Sequence, residues 1–190
     1  MLRFVLIRAL IIIAIPAAAQ RKILTTEEVS AAEKKLYSLP ADSNKANLLL
    51  NISFYYFDKN TPEIQDLGKA SKFAVEALNI GKSKKYEKWI GESYVMLSLI
   101  SQEDKKYRQG KEYAEKALQV LEKPGYADTY GEALVMLWST STLTGANHET
   151  GMRIIKKAGA AFNRSGNLTR EGDCLKELAD LYHMHRRLSR

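Results

Sequence analysis

Cysteine is nearly missing from this chain of 190 residues, Cys174 standing alone. An internal disulfide framework is therefore excluded, and with it any CxxC zinc or redox motif. Proline is scarce, at four residues, and no long Gly/Ser run divides the chain, so flexible linkers are not expected and neighbouring segments join directly. Missing too are a Gly-rich phosphate loop after a strand, a GxSxG elbow, an HExxH helix and a Cys/His pair close in sequence. These absences leave no enzyme, cofactor or metal reading with positive support. His183 and His185 come nearest to a metal motif, but two positions apart on a helix they point about 200° from each other, and helix-end histidines are the simpler reading. A basic stripe with aromatic platforms is also lacking: the net charge of +7 is spread among acidic residues along amphipathic segments, which describes solvated helix faces rather than a nucleic-acid surface.

What is present begins with a secretory pattern. Arg3 and Arg8 give a positive start, Phe4–Ile7 and Ala9–Ile15 an apolar run, and Pro16 breaks it before Ala17-Ala18-Ala19, so residues 1–19 read as a signal peptide with Gln20 as the mature N-terminus. The alternative, an uncleaved anchor, needs roughly 20 apolar residues, and the run is shorter. Export to the bacterial periplasm, with no membrane insertion after cleavage, is the expectation.

The mature chain reads as helix after helix. Residues 20–41 form a leading helix, opened by a Thr25–Glu28 capping box and stopped by Pro40. Asp42 caps Ser43–Phe57, Thr61-Pro62-Glu63 restarts a helix that runs to Ile80, and Gly81 is expected to end it. Segments Lys84–Gln102 and Asp104–Lys123 make a second pair, Tyr126–Thr144 and Asn147–Asn163 a third, and a last helix starts at Leu168. The stretch Gly91–Leu121 repeats: Gly91-Glu92 returns as Gly131-Glu132 and loosely as Gly172-Asp173, a period of about 40 residues. Short loops make the members of each pair antiparallel, and a constant period stacks the pairs with one offset.

Ala70, Ala74, Ala77 and Leu78 align with Gly110, Ala114, Ala117 and Leu118, and less well with Gly151, Ile155, Ala158 and Gly159. With the first-helix pattern Leu175, Leu178-Ala179, Tyr182, this resembles the tetratricopeptide repeat, in a long-repeat form. The resemblance implies an all-α fold, a right-handed α-solenoid of about three and a half repeats over residues 42–190, divided as 42–83, 84–125, 126–166 and a partial 167–190. Trp138 and Ser98 depart from it, standing where the family prefers glycine or alanine, so irregular packing is expected in the third hairpin. The signal peptide, Leu39-Pro40 and the Asp42–Ala46 start together look like the exported sensor regions of bacterial two-component kinases and related regulators. On that basis the chain reads as a fragment or truncated relative of a sensor, acting as a non-enzymatic scaffold that binds a protein or peptide segment.

In the family the first helix of each pair lines a concave groove. Carried onto this chain, the candidate groove comprises Lys45, Leu48, Ile52 and Tyr55; Glu92, Val95, Leu99 and Gln102; Glu132, Val135 and Ser139; and Asp173, Lys176 and Asp180. Its rim is acidic and its N-terminal end aromatic, which would suit a basic or neutral peptide. The competing reading is that Glu92, Glu132 and Asp173 complement helix dipoles. On the last helix Leu175, Leu178 and Tyr182 are expected to pack backward, leaving Cys174, Leu181 and Leu188 as a second stripe through which two chains would form a homodimer. Cys174 itself reads as a small buried hydrophobe, or, if that stripe is open, as a link between chains.

Overall fold

The computed structural model describes residues 24–59 and 62–188, the side chains of Arg187 and Leu188 excepted. The signal-peptide reading, the Thr61 cap and the side chain of Leu188 lie outside the described residues. Within them the chain is all-helical: α1 (Thr26–Leu36), α2 (Ser43–Phe57), α3 (Ile64–Lys84), α4 (Glu87–Glu103), α5 (Tyr107–Leu121), a 3₁₀ turn at Pro124–Tyr126, α6 (Ala127–Leu143), α7 (His148–Ser165) and α8 (Leu168–Leu188). Each helix packs on its neighbours in the chain, and α2, α4 and α6 also touch one another in succession.

Local chemistry starts these helices. The Thr25 hydroxyl accepts from the Glu28 amide at 3.2 Å while the Glu28 carboxylate accepts from the Thr25 amide at 2.9 Å, closing the capping box. Asp42 accepts from the amides of Asn44 and Lys45 at 2.9 and 3.0 Å, and Asn147 from that of Thr150 at 2.9 Å. Gly166, at φ 76°, is the left-handed cap that ends α7. Gly81 is a correction: α3 runs on past it to Lys84 and ends at Lys85, which takes the left-handed conformation. Gly81 instead lies against α4, where a Cβ would meet Ile90 at 3.1 Å.

The small residues mark where helices cross. Ala70, Ala74 and Ala77 on α3, and Gly110, Ala114 and Ala117 on α5, are all buried. Opposite them the Ser53 hydroxyl donates to the Ala70 carbonyl at 2.7 Å, and the Ser98 hydroxyl to the Gly110 carbonyl at 2.8 Å. A serine in each first helix thus bonds a small residue of the second in two consecutive pairs. The third pair solves the same crossing differently. Trp138 replaces the serine and lies over Gly151, where a Cβ would fall 2.4 Å from its ring.

The repeating glycines also accept side chains. A Cβ on Gly91 would stand 2.4 Å from the Leu121 side chain, and one on Gly131 would stand 2.7 Å from the Phe162 ring. Leu121 and Phe162 are both fully buried at the ends of α5 and α7. The period of the sequence is therefore a socket, a glycine near the start of one helix filled by a large residue near the end of the next.

Candidate functional site

The proposed groove residues fall on α2, α4, α6 and α8, and the structure treats its two ends and its middle differently. Ile52, Glu92, Val95, Leu99, Gln102, Glu132, Val135 and Ser139 are buried. The Ser139 hydroxyl donates to Gln102 Oε1 at 2.6 Å, and the Gln102 amide lies 3.4 Å from the Met136 sulfur. Two side chains read from the sequence as lining an open groove, Gln102 and Ser139, are thus engaged with each other across α4 and α6.

At the α2 end, Lys45, Leu48 and Tyr55 are half-buried. Lys45 lies 3.8 Å from Glu76, and the Tyr55 hydroxyl is 3.0 Å from that of Thr26, which ties α1 to α2. Tyr55 stands edge-on to Tyr56 with ring centres 5.3 Å apart, Tyr56 stacks on Phe73 at 6.0 Å, and the Lys59 ammonium lies over both tyrosine rings. The Tyr56 hydroxyl donates to Glu33 at 2.9 Å, and burial pushes it up to about 12. This aromatic end is the most chemically distinctive accessible part of the row.

At the other end α8 is bound to α6 by polar side chains. Both carboxylate oxygens of Glu132 accept from the Arg170 guanidinium, at 2.8 Å from Nε and 3.0 Å from Nη2, while Nη1 donates to Asp173 at 3.0 Å. Glu132 and Arg170 are each 1% exposed, and the guanidinium lies 5.2 Å from the Phe162 ring centre. Burial pushes the Glu132 carboxyl up, and the guanidinium pulls it back; in turn Glu132 and Asp173 hold Arg170 firmly charged against its own burial. With both oxygens engaged bidentately, the geometry favours the ionic pair. The Trp138 indole adds a bond to Glu177 at 3.1 Å, and Asn167 one to Asp128 at 2.8 Å. Asp173 is half-buried by this cluster, whereas Lys176 and Asp180 are exposed.

The same cluster reverses the reading of α8. The stripe of Cys174 and Leu181, expected to stand open, is 5% and 4% exposed and packs inward, as the reading of Cys174 as a small buried hydrophobe had it; of the residues expected inside, Leu178 is half-buried against the core, whereas Leu175 and Tyr182 are 60% and 56% exposed. The reason is that Arg170 and Glu177 anchor α8, so the positions following them on that face, Cys174 and Leu181, turn inward. Hydrophobic periodicity alone places charged residues outside and had no signal for a buried arginine. Burial pushes the Cys174 thiol up to about 12, against the opposing pull of Arg170.

Elsewhere, an open cleft of about 830 Å³ lies between two adjacent hairpin turns, with Lys106, Arg108 and Thr144 among its walls. Among the described residues no group of three or more His, Cys, Asp and Glu side chains is placed to hold a metal ion, and no helix is long and apolar enough to cross a membrane. Compared with protein-family models, with curated protein sequences and with solved structures, the chain gives no match in any of the three.

Proposed function

We propose that the protein is a non-enzymatic, exported helical-repeat scaffold of tetratricopeptide type, a right-handed α-solenoid that binds a protein or peptide segment and is related to the sensor regions of bacterial two-component kinases. The observation that carries this reading is the repeated crossing: Ser53 on Ala70 and Ser98 on Gly110, in consecutive pairs, with the glycine sockets at Gly91 and Gly131 one period apart. A chain built by repetition, in which each unit buries its apolar face on the next, offers surfaces rather than an enclosed pocket, and binding of extended segments is the use such surfaces suit. The reachable part of the row supports the aromatic end around Lys45, Leu48 and Tyr55 as the docking point, since the middle is filled by its own side chains.

The test is selection of binders to the mature chain from a displayed random-peptide library. Linear peptides should be enriched, and Tyr55→Asp should weaken them ~10-fold or more, as loss of one aromatic anchor does, with the far-UV circular dichroism unchanged. Failure to enrich any peptide, or affinity indifferent to Tyr55, would remove the support for this site.

A further inference from the structure

The outer face of α8 carries Leu168, Leu175 and Tyr182 at 72%, 60% and 56% exposure, with exposed Gly172 and Ala179 between them. Positions 168, 172, 175, 179 and 182 follow one another in steps of four and three, the seam of a two-helix pair. Single exposed leucines are ordinary on a protein surface; a line of large apolar side chains on one face is not. We propose that this face binds the same face of a second copy of the chain, α8 against α8, antiparallel about a two-fold axis.

Two features of α8 fit a second copy in that orientation. The first is shape. Centring the axis between Leu175 and Ala179 places Leu175 opposite the partner's Ala179 and Gly172 opposite the partner's Tyr182, so these two large side chains each meet a small one, while Leu168 falls opposite the partner's Arg186, whose stem can lie along it. The second is charge. Exposed or half-exposed acids, Glu171 and Asp180, lie toward the start and middle of the helix, whereas His183 and Arg186 lie toward its end. An antiparallel partner brings its basic end alongside Glu171, and a parallel one would set like on like. Glu171 is already fixed at that rim, its carboxylate accepting from the Asn163 side-chain amide at 3.0 and 3.1 Å. Lys176 alone runs against the pattern, meeting its own copy near the axis, where its long stem carries the ammonium out to solvent. The inward-facing Cys174 takes no part, so the association is non-covalent.

Sedimentation equilibrium of the mature chain over a range of concentrations reads the association, and each outcome bears on it. The expected result is a reversible monomer–dimer equilibrium, indifferent to reductant. Leu175→Glu, at a surface position, should leave only monomer with unchanged helix content. Glu171→Lys and Arg186→Glu should each weaken self-association, and an equimolar mixture of the two variants should recover it, because only the mixed pair sets lysine against glutamate and arginine against glutamate. A monomer at every concentration would overturn the proposal, as would a dimer that survives Leu175→Glu or one that reductant dissolves. Recovery that fails on mixing would overturn the antiparallel orientation.

Discussion

At Gly131 the absence of a side chain is a structural requirement. The helix there would gain roughly 1 kcal/mol from alanine on propensity alone, yet the added Cβ would stand 2.7 Å from the Phe162 ring, which is fully buried and has the Arg170 guanidinium 5.2 Å from its centre. Gly131→Ala should therefore destabilise the protein by ~1–3 kcal/mol, the usual cost of overpacking. Gly68, exposed in α3 with nothing within 4 Å of its would-be Cβ, is the control, and Gly68→Ala should stabilise by up to ~1 kcal/mol. Urea denaturation of the two variants separates the effects; a Gly131→Ala protein at least as stable as wild type would mean that the Phe162 ring moves aside freely. The recurrence of Gly91 and Gly131 was legible as a period. Its meaning was not, because Leu121 and Phe162 reach these sockets from the far end of the following helix, a distance that local pattern does not encode.

At the level of elements, the starts and stops of the helices were largely written in local chemistry: Thr25, Asp42 and Asn147 cap as their types suggest. The orientation of α8 was not written there. Its inward face is set by Arg170 and Glu177 reaching Glu132 and Trp138, and an amphipathic reading that sends charge to solvent turns the helix the wrong way. Dependence of α8 on that pair can be measured by a double-mutant cycle. Arg170→Met alone strands a buried carboxylate and Glu132→Leu alone removes the main counter-charge of a buried guanidinium, so each should cost ~3–5 kcal/mol. The double variant replaces both charges by apolar groups and should cost clearly less than the sum of the two, the difference being the coupling energy. Additive losses in thermal or urea unfolding would show that the two residues act independently, against the bidentate geometry.

Across the whole molecule, the order of packing follows the order of the chain, and that has a consequence for how it opens. The helical class and the pairing of neighbours were legible because capping residues, short turns and a period of about 40 residues all agree. The burial of Glu92, Val95 and Gln102 was not, because it depends on how closely α2, α4 and α6 approach, a property of neighbouring pairs rather than of any one of them. Where each helix rests chiefly on its sequence neighbours, stability is a sum of local terms and differs along the array. α1 packs chiefly on α2 and buries only Val29, Ala32 and Leu36, whereas α4, between α3 and α5 and in touch with α2 and α6, buries Val95, Met96, Leu97, Leu99 and Ile100 among others. Native-state hydrogen exchange should accordingly find α1 opening at a lower free energy than the rest and α4 and α6 opening only with global unfolding, with α8 between them because the Glu132–Arg170 pair holds it to α6. The Arg170→Met variant should lower the opening energy of α8 by more than that of α4, since the lost contact belongs to α8 directly and reaches α4 only through α6. Equal protection in α1 and α4, or equal shifts in α4 and α8, would mean that the helices unfold as one cooperative unit despite their local packing.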